Sequence, residues 1–517
     1  MSTKVRLVVL LSLAFVIGLA ISLAGHDQST YAAPTLTIKV NTTTDSNSAD
    51  GFISLREALL LVNGGTGGDG LRSGLGRALT TGEKGQIVGG VITTSGVAAN
   101  IVFTDLPGLS TITLAGGTGS ANESLPPILT SGVVMDGRNA IGGKITIDGS
   151  GAGTPADSDV LWLGWAIATP GAVQVSDITI SSVIISGAKR YGIHLNPARN
   201  SQISQCEVTQ STSYAIFIQG KFGNADGNVI EDCTVGNNQS LGIVLNRPGA
   251  FNNTLRNNRV GTDASGTNPA PNTGAGIALF TGTHDNVITG NLISGNTLQG
   301  IYFDGAAVSV SGNVVQGNRI STAADGVTGL PNVQGIVFDD GSLNNVIGGT
   351  DVGQANIIAF NTESGIVAVG DNTRGNRFSG NSIFDNTILG IDLLDDKAPT
   401  QGISGGGVGP NELSLRPTLT KVQTYGKLAS LLGHASPNST IEIFAADHAS
   451  ANGSGKTYCT RGTANTSGDF SFVGTLACLP ASALTATSTL PSGSTSEFGP
   501  VAIPTPFKTI FLPIVKR

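Results

Sequence analysis

Charge is scarce in this chain of 517 residues: Asp, Glu, Lys and Arg make up only 12%, where about 25% is usual. Aromatic residues amount to 5%, and there are two tryptophans and two methionines. The formal net charge of −7 leaves no basic field, which argues against a nucleic-acid or anionic-membrane partner. Four cysteines and five histidines are too few and too scattered for a zinc or copper site, since His194 and His284 have no His or Cys at ligand spacing. No P-loop and no Ser/His/Asp set is visible. After Ala24 no apolar run is long enough to cross a membrane. What the chain has in abundance is glycine, 73 residues of it, within 39% hydrophobic composition. Turns must be frequent and long helices scarce, yet a sizeable core can be buried.

The N-terminus carries its own signal. Lys4 and Arg6 precede an apolar run from Leu7 to Ala24, followed by Ala24-Gly25 and Ala32-Ala33. Residues 1–32 therefore read as a signal peptide, with an uncleaved anchor as the alternative. The expected location is outside the cytoplasm, secreted or at the cell surface. An oxidising exterior suits the cysteines. Cys459 and Cys478 flank two strand-like runs and are expected to form a disulfide, whereas Cys206 and Cys233 fit either a disulfide or buried thiols.

Internal repetition fixes the fold class. From about Asp177 to Asp396 one unit recurs. Its first half is a branched residue, two spacers, an amide-type residue, one spacer and a second branched residue, as in Ile230-Cys233-Val235 or Ile288-Asn291-Ile293. Its second half is Gly-Ile followed by an alternating apolar strand, at Gly192, Gly242, Gly276, Gly300, Gly335, Gly365 and Gly390, with Ala215 in the same slot. The unit averages ~28 residues, too short for a propeller blade and without helical periodicity. Three short strands per unit, alternating with period two between Gly/Asn corners, predict a parallel β-helix. The general crossover preference makes it right-handed. Stacked at about 4.8 Å, equivalent residues superpose. Cys206, Cys233, Asn258, Asn291, Asn318, Asn356 and Asn381 then form a structural ladder at one corner, each amide donating and accepting along the stack.

The rest of the chain arranges itself around that column. Ser54-Leu55-Arg56-Glu57 is a capping box opening a short apolar helix to about Asn63, suited to plug the first coil. Residues 33–99 are expected to be this N-terminal cap with a Gly-rich loop, 100–397 the helix, 398–414 a linker, 415–502 a small β-sandwich and 503–517 a tail. The tail, Thr509 to Arg517, reads equally as a docking segment or as a last strand.

The stretch Val40-Asn41-Thr42-Thr43, Asp45 and Asp50-Gly51-Phe52-Ile53-Ser54-Leu55-Arg56-Glu57-Ala58 resembles a family of secreted bacterial β-helix proteins named for an N-terminal CSLREA motif, with Ile53 where the motif has cysteine. The insertions from Gly261 to Asn272 and from Ser321 to Asn332 resemble a loop of that family and of NosD-like, pectate-lyase-like β-helices. Gly468-Asp469-Phe470-Ser471 and Thr495-Ser496-Glu497-Phe498 look like an associated C-terminal sandwich module. The resemblance implies a right-handed β-helix with a cap and a sandwich, outside the cell, of unassigned activity; the NosD-like part adds metal delivery as a third reading.

Candidate chemistry lies on the third strand of the unit. With Ile301 and Phe303 inward, Tyr302 and Asp304 face out, and Asp339, beside Asp340, falls on the same face one coil later. Two carboxyls about 5 Å apart would match a retaining glycosidase, and Tyr302 could stack on a sugar. Tyr302, Asp304, Asp339 and Asp340 are thus the candidate ligand-binding residues, and the last three the candidate catalytic ones. The Gly-His-Gly and Arg-x-Lys patterns of β-helix polygalacturonases are missing, however. The favoured function is a non-catalytic scaffold or adhesin-like protein that binds polysaccharide or other cell-surface components. The alternative is a polysaccharide lyase or glycoside hydrolase. No cofactor is expected, and no metal site; only Gly64 to Leu71, one copy of a calcium-nonapeptide pattern, hints at calcium. The outward row His194, Phe217, Val244, Ala278, Tyr302, Val337, Val367 is unusually apolar, which calls for a covering segment or a binding surface.

Overall fold

A computed structural model describes residues 34–108, 110–115, 124–153, 158–165, 171–449 and 453–507. The leader (1–32) and the end of the tail (508–517) lie outside the described residues.

The chain is a right-handed parallel β-helix. Among the described residues three long sheets of 12, 10 and 9 strands run along it. The first runs from Thr37–Lys39 to Arg377–Ser379, the second from Thr111–Thr113 to Ser382–Phe384, and the third from Leu161–Leu163 to Ile391–Leu393. Apart from the edge strand Ile87–Val88, which pairs antiparallel with Thr37–Lys39, and a register shift after Val102, adjacent strands are parallel and in register, so each inward position becomes a row along the axis. On the third sheet Leu195, Ile218, Leu245, Leu279, Phe303, Phe338, Ala368 and Leu393 form one such row. Every member is buried. Inside it Phe303 stacks on Phe338 at 4.6 Å, and Phe338 on Phe378 of the first sheet at 5.5 Å.

The recurring glycine has a steric cause. A Cβ on Gly335 would lie 2.4 Å from the Gly365 carbonyl oxygen, and one on Gly300 2.7 Å from that of Gly335. Stacking, rather than an unusual φ, therefore enforces glycine here. Gly335→Ala is expected to cost about 1–3 kcal/mol as overpacking, read as a lower urea midpoint at unchanged m-value.

The corners are built from left-handed residues followed by asparagine. Asn257, Gly290 and Gly317 have φ of 57°, 67° and 66°, and Asn258, Asn291 and Asn318 come next. Gly, Asn and Asp tolerate this conformation best. From Cys233 a continuous chain follows, in which each residue's backbone N–H bonds the next amide oxygen at 2.9–3.1 Å through Asn258, Asn291, Asn318, Asn356 and Asn381. Cys206 and Cys233 at its head are buried free thiols.

Two more ladders escape the sequence reading. One joins Asn228, Asn253, Asn286, Asn313, Asn345, Asn376 and Asn411 at the corner before the first sheet. The other runs Asn238, Asn272, Asn296, Asn332, Ser321, Asn361 and Asn386 at the corner before the third.

The ends depart from expectation in extent. The helix Leu55–Gly64 has the full capping box and a buried apolar face, and Arg56 clamps Asp45 at 2.7 and 2.8 Å. The sheet, however, begins with Thr37–Lys39, which pairs parallel with Asn100–Val102. The β-helix thus starts well before residue 100. A second capped helical turn, Thr81–Lys84, sits in the stretch expected to be only a loop. At the other end a four-stranded sheet, antiparallel except for its last pair, and a three-stranded antiparallel sheet share a core of Leu431, Ile441, Ile443, Leu484 and neighbours. Cys459 and Cys478 are disulfide-bonded there. Thr505–Pro506, assigned above to the tail, pairs with Gln423 and Thr424 of the four-stranded sheet.

Candidate functional site

The outward row of the third sheet runs in register through Trp162, His194, Phe217, Val244, Ala278, Tyr302, Val337, Val367 and Asp392. Its first half is covered, mostly by its own flanking residues, and Arg72 of the Gly-rich excursion adds its guanidinium 4.1 Å over the Trp165 ring. Phe217, Val244 and Ala278 are buried beneath Tyr191, Tyr214, Leu241, Phe280 and Tyr302, which belong to the third-sheet strands or immediately precede them. The cover is itself aromatic. Tyr191 and Tyr214, in the same slot of successive coils, stack at 5.3 Å. Trp165, Tyr191, Tyr214, Phe280 and Tyr302 are each half-buried.

At the N-terminal end of this surface a buried ion cluster holds the rings. Asp159, fully buried, takes both Nε and Nη2 of Arg190 at 2.6 Å and Nδ1 of His194 at 2.8 Å. Burial alone would raise its carboxyl, but His194 and Arg190 outweigh that and hold it below the ordinary aspartate value. The His194 ring lies between Trp162 and Phe217 at 4.9 and 5.0 Å. The Arg190 guanidinium sits 4.9 Å from the Tyr191 ring and 5.4 Å from Trp162. Burial pushes the Tyr191 hydroxyl up to about 12. This His–Asp pair is enclosed by rings and positions them. Sequence reasoning missed it because its members are 35 residues apart. The available signal was the recurrence of tyrosine just ahead of the Gly/Ala slot, at Tyr191 and Tyr214, with both tryptophans one coil earlier.

The residues singled out from the sequence sit further along. The Tyr302 hydroxyl donates to Asp339 Oδ2 at 2.8 Å, and the Asp340 N–H donates to Asp339 Oδ1 at 2.8 Å. Burial and then Asp339 push the Tyr302 hydroxyl upward. Asp304 accepts from the Ala306 N–H at 3.0 Å. The Asp339 N–H bonds the Phe303 carbonyl at 2.8 Å, which continues the register and sets Asp304 and Asp339 on adjacent rungs. Asp340 turns away into an open cavity of ≈ 400 Å³, lined also by Ser309, Asn372 and Arg374. Its Oδ1 makes no hydrogen bond among the described residues. Tyr302, Asp304 and Asp339 are thus brought together, and Asp340 serves the neighbouring cavity.

Each oxygen of Asp339 accepts one hydrogen bond from the protein and keeps a further lone pair, so the carboxylate is oriented and can still meet a ligand. The calcium-like Gly64 to Leu71 stretch is also accounted for locally. Asp69 Oδ1 accepts from the N–H groups of Leu71, Arg72 and Ser73; against the opposing effect of burial, these bonds bring it down to about 2. No group of three or more His, Cys, Asp or Glu is placed to hold a metal ion among the described residues. No helix among them is long and apolar enough to cross a membrane.

Fold and surface together define a right-handed parallel β-helix protein with an aromatic outward face. A family model for the right-handed beta helix region matches residues 171–401; the residues that resemble the CSLREA motif lie outside that match. No curated protein matches the chain in sequence. Among solved structures it is similar to the periplasmic alginate epimerase AlgG, with 14% identity over 58% of this chain and 66% of that one, just under two thirds, at a TM-score of 0.41. It is similar to the A-module of the Azotobacter vinelandii mannuronan C-5 epimerase AlgE6, with 17% identity over 58% and 77% of the two chains and a TM-score of 0.36. The enzymatically active domain of bacteriophage CBA120 tailspike protein 2 matches at 11% identity, over 78% and 72%, with a TM-score of 0.29. These likenesses are of fold alone.

Proposed function

We propose that this chain is an exported, extracellular or cell-surface scaffold that holds polysaccharide along its third face without cleaving it. The observation that carries the reading is the set of half-buried rings on one face, Trp165, Tyr191, Tyr214, Phe280 and Tyr302, in a chain with only 5% aromatic residues. Flat rings with polar rims suit the mixed apolar and hydroxylated faces of sugars. The cavity beside Asp340 and Arg374 supplies the hydrogen-bonding groups that fix orientation. The disulfide fits an oxidising location.

From the coil of Tyr191 to that of Tyr302 is four rungs, about 19 Å along the axis. Affinity is therefore expected to rise with oligosaccharide length until this span is filled. Isothermal titration with neutral and acidic oligosaccharide series tests this. The double variant Tyr191→Ala/Tyr214→Ala is expected to weaken binding on the order of tenfold, about 1.4 kcal/mol. Length-independent affinity, or unchanged affinity in the double variant, would remove the aromatic surface from the account.

The neighbouring placement of Asp304 and Asp339 favours one second reading, a polysaccharide lyase or glycoside hydrolase. In that case reducing ends or unsaturated products appear on incubation, and Asp339→Asn abolishes them.

A further inference from the structure

We propose that the C-terminal sheet region is a proton-linked cap, seated on the last coil of the β-helix by buried carboxylates and held more firmly in acid than in mild alkali. The last coil has no further coil above it, so its backbone N–H groups need other acceptors. The cap supplies them as side chains. Glu442 takes the Ser379 hydroxyl at 2.5 Å and the Gly380 N–H at 2.8 Å. Glu497 takes the Leu393 N–H at 2.9 Å and the Thr400 N–H at 2.7 Å. Ser494 and Thr495 hydroxyls accept from Gly375 and Phe378. Both glutamates are 2% exposed, which is rare for a carboxylate without a direct ion pair. Neither has one among the described residues.

Lifting the cap would rehydrate these groups, and that makes seating depend on protons. The charged groups facing Glu497 are Arg416, whose Nε bonds the Phe498 carbonyl at 2.6 Å, and Asp392 of the last third-sheet strand. Around Glu442 are Arg377 and Arg461, with Tyr458 nearby. Around Asp392 are Asp395, Asp396 and Lys397, with the Ser364 hydroxyl at 3.2 Å on one oxygen. Burial outweighs the arginines and the hydrogen bonds and pushes Glu497 up to about 7 and Glu442 upward, while burial, aided by Asp395 and Asp396, pushes Asp392 up to about 6. The seated state therefore binds more protons than the lifted state between about pH 4.5 and 7. Its stabilisation is full below the ordinary carboxyl range and is lost as pH rises through these raised values.

The test is hydrogen–deuterium exchange on the full chain at pH 5 and pH 8, corrected for the intrinsic exchange rate. Protection of the Leu393 and Thr400 amides, both bonded to Glu497, is expected to fall on the order of a hundredfold at pH 8, about tenfold for each pH step between 5 and the Glu497 value of about 7, and that of Gly380 to fall in the same direction. Protection of the Asn258 and Asn291 ladder amides should hold. Glu497→Gln should remove most of the pH dependence at Leu393 and Thr400. Should that variant fail to fold, limited proteolysis of the native chain decides between the outcomes: cleavage between 398 and 414 faster at pH 8 supports the cap, after correction for protease activity. Equal protection at both pH values, or greater protection at pH 8, overturns it, as does an unaltered pH dependence in Glu497→Gln.

Discussion

Replacing Phe338 with alanine is expected to lower the unfolding free energy by about 3–5 kcal/mol, the largest effect of any single truncation argued here. Phe338 is fully buried and is the middle ring of three, between Phe303 at 4.6 Å and Phe378 at 5.5 Å. The neighbours are strands fixed in register by ladder hydrogen bonds on both sides, so they cannot close over the void. Both flanking rings lose their packing partner at once. The row position one coil later is already Ala368, so no larger side chain on that side can swing in. Urea unfolding should show a lower midpoint with the slope retained. A loss below about 1 kcal/mol would mean that the interior is not packed as described.

Asn318→Ala is expected to cost about 2–5 kcal/mol for a different reason. Asn318 Oδ1 accepts from both the backbone N–H and Nδ2 of Asn291, each at 2.9 Å. Its own Nδ2 donates to the carbonyls of Ile288 at 2.9 Å and Gln316 at 3.1 Å, and to Asn356 Oδ1 at 2.9 Å. Alanine would strand at least two buried backbone groups at about 1–3 kcal/mol each, and water has no path into the corner. Asn318→Asp should not rescue, because a carboxylate keeps the acceptor and loses the donor. The same substitution at exposed Asn372, outside any ladder, should change the urea midpoint little.

The repeat was legible because stacking makes sequence periodic. Gly-Ile recurs since each glycine Cα lies against the next coil's carbonyl, and branched residues recur since one inward row serves every coil. The first asparagine ladder could be read from the fixed spacing to its flanking Ile and Val. The ladder before the first sheet was also periodic, as Gly227-Asn228, Asp285-Asn286 and Gly375-Asn376 show, but its neighbours vary in size and hide the pattern; the one before the third passes through Ser321, out of chain order, and so breaks its own spacing. Thr37–Lys39 was missed for another reason: a single three-residue strand before a long excursion has no repeat partner in sequence, and only pairing with Asn100–Val102 defines it.

For the site, alternation alone set Tyr302, Asp304 and Asp339 on one face. It could not show that the Tyr302 hydroxyl and the Asp340 N–H each bond one oxygen of Asp339, since that depends on a turn after Phe338. Nor could it show that the apolar outward row is roofed by its own flanking tyrosines. The Asp159–Arg190–His194 cluster requires residues from adjacent coils whose separation differs from the average repeat, and it is invisible until the register is known.

The proposed role is to retain a glycan chain intact on the third face. The most direct test is prolonged incubation of the purified protein with whichever polysaccharide it binds in titration, followed by assay of the same samples for new reducing ends and unsaturated sugars. The expected result is bound polymer of unchanged length. Products that accumulate with time and disappear in Asp339→Asn would contradict it and make the chain an enzyme.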